Sequence, residues 1–308
     1  MRHSAFFVLL LTMTLHATPT PQYYCTAADA GYFDRLMNLI ASIHTTNYER
    51  LDTIAVFDLG LNQKQIQRLR HIKKVQVFEL EKYNPAITTP FSSDNNNSLK
   101  RAPGWYAFKD VALQQALGLF PYVLWIDAGS TVLKSLVNLF NHIEQQGYFF
   151  CTVGGCPVNW GSTKILHDTF NLDTPESRWI LEAEMVMGGV FGIKRDSVAH
   201  QQVLTPMYQA AQDKELCLYK DDGTTPNGFG TGRHDQPLRS IHVYLAGLTV
   251  GIQDASQQTP IMLNVDNKQV PFYITWDKHH VCEKTDIFSS RGSFEKYYYL
   301  LKNIHYKP

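Results

Sequence analysis

The stretch VLWIDAGSTV, residues 123–132, carries the first pattern with chemical meaning. Val123, Leu124, Trp125 and Ile126 read as a buried strand that runs straight into Asp127, Ala128 and Gly129. A carboxylate at the C-terminal end of such a strand stands where open α/β sheets place ligand chemistry. Lys109 lies on a helical segment that feeds this strand; it either meets an anion as a point charge or is an ordinary surface lysine. Asp235 and Gln236 open a later helical segment, in His234-Asp235-Gln236-Pro237. An acid at the N-cap with proline just inside is also a helix-start signal, and both roles are compatible. Gly188 and Gly189 interrupt an apolar stretch, which costs packing unless something approaches the backbone closely or the strand bends. Glu182 and Glu184 precede them and could touch ligand hydroxyls, as could any surface glutamate.

The elements that must position these residues follow from periodicity. Segments 22–27, 53–57 and 75–78 read as strands, and 33–44 and 63–71 as helices. This alternation predicts a parallel sheet covered by helices. Residues 81–104 hold three prolines and a polar run, and predict a long exposed loop. Helix 105–119 leads to strand 123–126, followed by helix 133–146 and strand 147–153. The second half is less regular: an apolar, strand-like 180–194, helix 196–211, a glycine-rich loop 221–232, a helix from 234 to 246, and short strands near 248–252 and 270–275. No repeat or low-complexity linker marks a boundary. The expected architecture is one α/β domain over 22–308, Rossmann-like, with a mostly parallel sheet and helices on both faces.

Composition narrows the classes. The chain has 308 residues, with 28 basic and 28 acidic side chains and a formal net charge of zero. No basic excess points to nucleic acid. A basic start, an apolar run over 5–15 and Ala17 ahead of Thr18-Pro19 have the layout of a signal peptide over 1–17. The expected location is therefore outside the cytosol: a secretory-pathway lumen, the periplasm or the medium. The apolar run falls short of the ~20 residues that span a bilayer, and no later segment reaches that length. Five cysteines leave at least one unpaired, and the spacing of Cys151 and Cys156 lacks the second pair of a zinc site. Asn96-Asn97-Ser98 is a glycosylation sequon.

Taken together, the motifs over roughly 23–245 resemble a nucleotide-sugar-dependent glycosyltransferase of the A-type (GT-A-like) fold, related to glycosyltransferase family 8. The likeness is carried by Tyr24-Cys25-Thr26-Ala27-Ala28-Asp29, Phe57-Asp58-Leu59-Gly60, Trp105-Tyr106-Ala107-Phe108-Lys109, the strand end Trp125-Ile126-Asp127-Ala128-Gly129, Gly188-Gly189-Val190-Phe191-Gly192 and His234-Asp235-Gln236. The resemblance implies donor binding by Thr26, Ala27, Ala28 and Asp29, although Asp29 serves equally as a helix cap. It implies donor contacts from Lys109, where the family usually has arginine, and from Gly188 and Gly189. It places Asp127, Asp235 and Gln236 near the reacting sugar. It also implies a Mn²⁺ or Mg²⁺ ion neutralising the leaving diphosphate. Gly129 replaces the second acid of the usual Asp-x-Asp, so the metal would need Asp127 with a histidine: His234, His279 and His280 are the candidates, and His279 and His280 sit where the family's late ligand falls. A metal-independent site charged by Lys109 or Arg233 is the alternative. The implied partners are a nucleoside-diphosphate sugar and a glycan, protein or lipid acceptor. The missing acid also leaves open a non-catalytic nucleotide- or carbohydrate-binding descendant. No flanking acid pair points to a glycoside hydrolase, and no G-x-G-x-x-G follows the first strand.

Overall fold

The computed structural model describes residues 20–81, 83–89, 103–132, 134–228, 231–251, 261–265, 268–272, 274–276 and 301–308. Strands β1 (Gln22–Ala28), β2 (Leu51–Asp58) and β3 (Val75–Glu79) are parallel neighbours, linked through α1 (Phe33–Asn47) and α2 (Gln63–Arg70). The chain then passes through α3 (Phe108–Leu119) and lays β4 (Tyr122–Ile126) parallel to β1 on its other side. Strand Val190–Lys194 runs antiparallel to β4, and Tyr148–Phe149 antiparallel to it at the edge. The six-stranded sheet therefore reads β3-β2-β1-β4 followed by these two strands. The winding reverses between β1 and β4, which opens a crevice at their C-terminal ends. Asp127 follows β4 at that crevice, and Asp29 follows β1.

Side chains alternate between the two faces of the sheet with the period of a strand. Tyr24, Ile54, Leu124 and Ile126 pack against Leu36, Ile40 and Leu69 of α1 and α2 and against Leu139 and Phe140 of α4 (Val137–Gln146). Cys25, Phe57, Val123 and Trp125 pack on the other face, against Val111 and Leu113 of α3 and Leu238 and Ile241 of the helix Asp235–Leu245. All five residues of β4 are buried, so its sequence is an unbroken apolar run. Locally, α1 places Leu36, Met37, Ile40 and Ile43 on its buried side, and α2 starts with a capping box between Asn62 and Gln65.

The mostly parallel α/β sheet with helices on both faces is the architecture expected from the sequence. The departures have local causes. The helix expected from residue 105 begins at Phe108, because Gly104, Trp105 and Tyr106 have φ of 54°, 50° and 65°. A Cβ at Gly104 would lie 2.2 Å from the Ile87 carbonyl oxygen, so the glycine is required there. The helix expected from 133 begins at Val137; before it, Ser130–Val132 forms a short strand antiparallel to Ile274–Trp276. The stretch 180–194 divides into a helical turn (Trp179–Glu182), strand Glu184–Val186 and strand Val190–Lys194. The helix expected over 196–211 becomes a π-helical turn (His200–Leu204) running into Thr205–Ala210. The strand expected near 248–252 reduces to one bridge between Gly251 and Cys151. Among the described residues no helix is long and apolar enough to cross a membrane. Cys25, Cys151, Cys156 and Cys217 are free. The expected leader and the sequon lie outside the described residues.

Candidate active site

Asp127 leaves β4 with its main-chain N–H donating to the Gly189 carbonyl at 2.9 Å. Two residues earlier, and hence on the same side of the strand, the buried Trp125 donates its indole N–H to Asp127 Oδ1 at 2.8 Å. The carboxylate stays 26% exposed. Lys109, on the first turn of α3, reaches the same point from below. Its ammonium donates to the Gly188 carbonyl at 2.8 Å and lies 3.1 Å from Asp127 Oδ1 and 3.6 Å from Asp235 Oδ2. Asp235 is the first residue of its helix and is buried. It caps no N–H, contrary to the N-cap role expected of it. The carboxylate turns back instead to Arg239, one turn on, at 2.8 Å.

Behind this trio lies a second layer that no sequence motif marks. Arg239 is fully buried, bridges Asp235 and Asp110 (2.9 Å) and sits over the Phe191 ring at 4.0 Å. The Tyr219 hydroxyl donates to Asp110 Oδ2 at 2.9 Å and lies 2.8 Å from the Met207 carbonyl. Burial pushes the Asp110 carboxyl up, and the Arg239 guanidinium only partly offsets this. Burial alone would lower Arg239, but the two carboxylates hold it above its ordinary value. One hint is present in the sequence: Asp235 and Arg239 are spaced i,i+4 on a helix. Nothing local announces Asp110.

The glycines have a packing cause. A Cβ at Gly188 would lie 2.8 Å from both Asp235 Oδ2 and Gln236 Cγ, so the close approach is by the start of the last helix. Gly189 contributes the carbonyl that fixes the Asp127 N–H. Gly188→Ala is therefore expected to push Asp235 off Lys109, to displace Gln236 and to cost about 1–3 kcal/mol, as overpacking does. Urea denaturation of the variant beside the native chain measures that cost.

The rim of the site is conformationally strained. Trp105, Tyr106 and His234 all have positive φ, and their rings meet: Trp105 and His234 at 4.6 Å between centroids, Tyr106 and His234 at 5.7 Å. Bulky residues in such conformations cost about 1–3 kcal/mol each and gather at functional sites. Burial, Tyr32, Asp127 and Asp235 together push the Tyr106 phenol well above its ordinary value, while Arg233 opposes them. Arg233 is half-buried, with its guanidinium over the Trp160 ring at 4.6 Å.

His234 is buried, neither ring nitrogen has a partner in hydrogen-bonding geometry, and desolvation lowers its pKa to about 4. Burial likewise lowers His242 and His44 to about 4, the latter helped by His305 and Lys74. The folded chain keeps these imidazoles neutral where the unfolded chain takes up protons from about pH 6.5 downward. Their contribution to stability is complete above that pH and is lost as pH falls towards 4. Asp110, raised by burial, acts in the opposite sense, but as one group against three. The urea midpoint is expected to fall steadily from pH 7 to pH 4.5, which a denaturation series across that range measures.

The structure brings Asp127, Lys109, Gly188, Gly189, Asp235 and Gln236 together at one crevice. Thr26, Ala27 and Ala28 are buried in β1, so at this strand end they offer a ligand backbone rather than side chains. Asp29 accepts the Tyr32 N–H at 2.9 Å and caps the short helical turn Ala30–Tyr32. Glu184 accepts from the Thr152 hydroxyl at 2.7 Å, and Glu182 is exposed.

A divalent cation needs several oxygen ligands. Among the described residues, no three His, Cys, Asp or Glu side chains stand close enough to hold one. Asp127 and Asp235 both face Lys109, and the residue two positions after Asp127 is Gly129, which offers no side-chain ligand. His279 and His280 lie outside the described residues. The described residues do not fit a metal ion at Asp127.

No family model matches the sequence, and no curated protein matches it. Solved structures do match in shape. The glycosyltransferase GlyE of Streptococcus pneumoniae shares 11% identity over 76% of this chain and 45% of its own, with a TM-score of 0.42. The mannosyltransferase Ktr4p of S. cerevisiae, in complex with GDP, shares 9% over 72% of this chain and 66% of its own, at 0.47. The galactosyltransferase LgtC, in complex with donor and acceptor sugar analogs, shares 12% over 93% of this chain and 98% of its own, at 0.49. This chain thus spans under half of the first and just under two thirds of the second. Each of these scores is below 0.5.

Proposed function

We propose that this protein is a glycosyltransferase that moves a sugar from a nucleoside diphosphate to a glycan, protein or lipid acceptor, in an exported location. One observation carries the reading. Lys109, Asp127 and Asp235, from three separate parts of the chain, meet where the sheet reverses its winding. That is where open α/β sheets bind ligands, and Asp127 and Asp235 lie in the motifs that resemble family 8, with Lys109 standing where that family usually has arginine.

The chemistry follows from the groups present. Breaking a sugar–phosphate bond leaves negative charge on the diphosphate, and fixed positive groups stabilise that charge as it develops. Lys109 and the half-buried Arg233 supply them, Arg233 with a fork suited to phosphate oxygens. The exposed part of the Asp127 carboxylate accepts from a sugar hydroxyl, and the half-buried Gln236 carboxamide lies one residue from Asp235 at the same crevice. The buried Arg239–Asp110–Tyr219 layer holds Asp235 still, so that little reorganisation accompanies reaction.

A specific observation supports the second reading, a binding protein without turnover. Asp110, Asp127 and Asp235 against Lys109 and Arg239 leave three negative and two positive groups, and both cations are already paired. A thermal-shift panel of nucleoside diphosphates tests donor binding. A ligand at about 100 times its Kd stabilises the native state by about 2.7 kcal/mol, a rise of several degrees in Tm. One nucleotide is expected to do so; a flat response to every nucleotide would remove the donor site from the reading.

A further inference from the structure

We propose that the Lys109 ammonium is the permanent cation of this site, seated among oxygen atoms that would otherwise take a divalent metal ion. Oxygens from three parts of the chain surround Nζ: the Gly188 carbonyl at 2.8 Å, Asp127 Oδ1 and Oδ2 at 3.1 and 3.4 Å, and Asp235 Oδ2 at 3.6 Å. Two carboxylates and a main-chain carbonyl are the ligand types that a hard divalent ion selects. A lysine carries three N–H donors and no acceptor; here the ammonium donates to the Gly188 carbonyl and to Asp127 Oδ2, and pairs with Asp235 as a charge. The Tyr106 and Trp125 rings, at 5.1 and 5.8 Å, complete the cage with their negative faces.

The ammonium is not free to leave. Its side chain is only 6% exposed and springs from the first turn of α3. Swinging it out would leave Asp127 without its cation and the buried Asp235 with Arg239 alone. A divalent ion brought to Asp127 would face this positive charge a few ångströms away, and the buried ammonium is little screened by solvent. Gly129 is consistent with this arrangement: with an ammonium in place, a second strand-end acid has no cation to hold. The site is thus charged by the chain itself, and removing Lys109 should expose a latent metal site.

The test is a Mn²⁺ titration of the full chain, read by the electron paramagnetic resonance signal of free Mn²⁺. It uses metal alone, so its outcome does not depend on nucleotide binding or on the proposed function. Native protein is expected to leave the added Mn²⁺ free. Lys109→Ala is expected to take up one equivalent at least about tenfold more tightly, through the two uncovered carboxylates, and to lose it when Asp127→Asn is added. Native protein that binds one equivalent of Mn²⁺, and loses it in Asp127→Asn, overturns the proposal. A folded Lys109→Ala that binds no Mn²⁺ overturns it as well. Where Lys109→Ala fails to fold, the native and Asp127→Asn titrations decide alone.

Discussion

Asp127→Asn is expected to lower the proposed donor-sugar turnover by about 10²–10³-fold, the range seen when a preorganised electrostatic group is removed from an active site. The substitution keeps the carboxamide oxygen that Trp125 reaches at 2.8 Å, so the strand end retains its shape. What disappears is the charge that holds the Lys109 ammonium at 3.1 Å. Lys109 then keeps Asp235 and the Gly188 carbonyl but loses the exposed carboxylate that aims it at the crevice mouth. Steady-state rates for native and variant, with a melting curve for each, separate this from unfolding. The expected result is a collapse in kcat with little movement in Tm. A variant with native turnover shows that Asp127 is only a strand-end turn residue.

Arg239→Met destabilises the fold by about 3–5 kcal/mol, the cost of breaking a buried ion pair from one side. Arg239 lies wholly in the core and is the only link between Asp110 and Asp235 among their described ion pairs. Without it, two buried carboxylates face each other with Lys109 as the remaining cation, and Asp110 keeps only the Tyr219 hydroxyl. Arg239→Lys should rescue little, since one ammonium cannot span both acids as a guanidinium fork does. Urea midpoints give the size, and a double-mutant cycle with Asp110→Asn isolates the pair. Asp110→Asn in the Arg239→Met background is expected to recover part of the loss, because it removes one stranded charge.

Asp127 and Arg239 mark where sequence reasoning reaches and where it stops. The run Val123–Ile126 is legible as a central strand because burial on both faces leaves nothing polar to write into it. The alternation of β1, α1, β2, α2 and β3 is legible because each period is local to its segment. Lys109, Asp127 and Asp235 stand out because each sits at an element end next to a distinctive neighbour. Asp110 is invisible for the opposite reason. Its partners Tyr219 and Arg239 are 109 and 129 residues away, and no local pattern tells an inward aspartate on a helix from an outward one. Gly188 is conspicuous in the sequence, but its cause, the carboxylate of Asp235 on a distant helix, is a tertiary contact. The late start of α3 follows from the left-handed run Gly104-Trp105-Tyr106, which helix propensity does not anticipate in two aromatic residues.

The most direct test of a sugar-transfer role is release of nucleoside diphosphate from a panel of nucleotide sugars by the native chain and by Asp127→Asn. Both are assayed with a mixed pool of glycan acceptors and with water alone. A transferase built on Asp127 turns over one donor class in the native chain, and this rate falls at least about a hundredfold in Asp127→Asn. Nucleotide binding in the absence of turnover on every donor, with native and variant indistinguishable, would contradict it and leave a binding protein built on the same sheet.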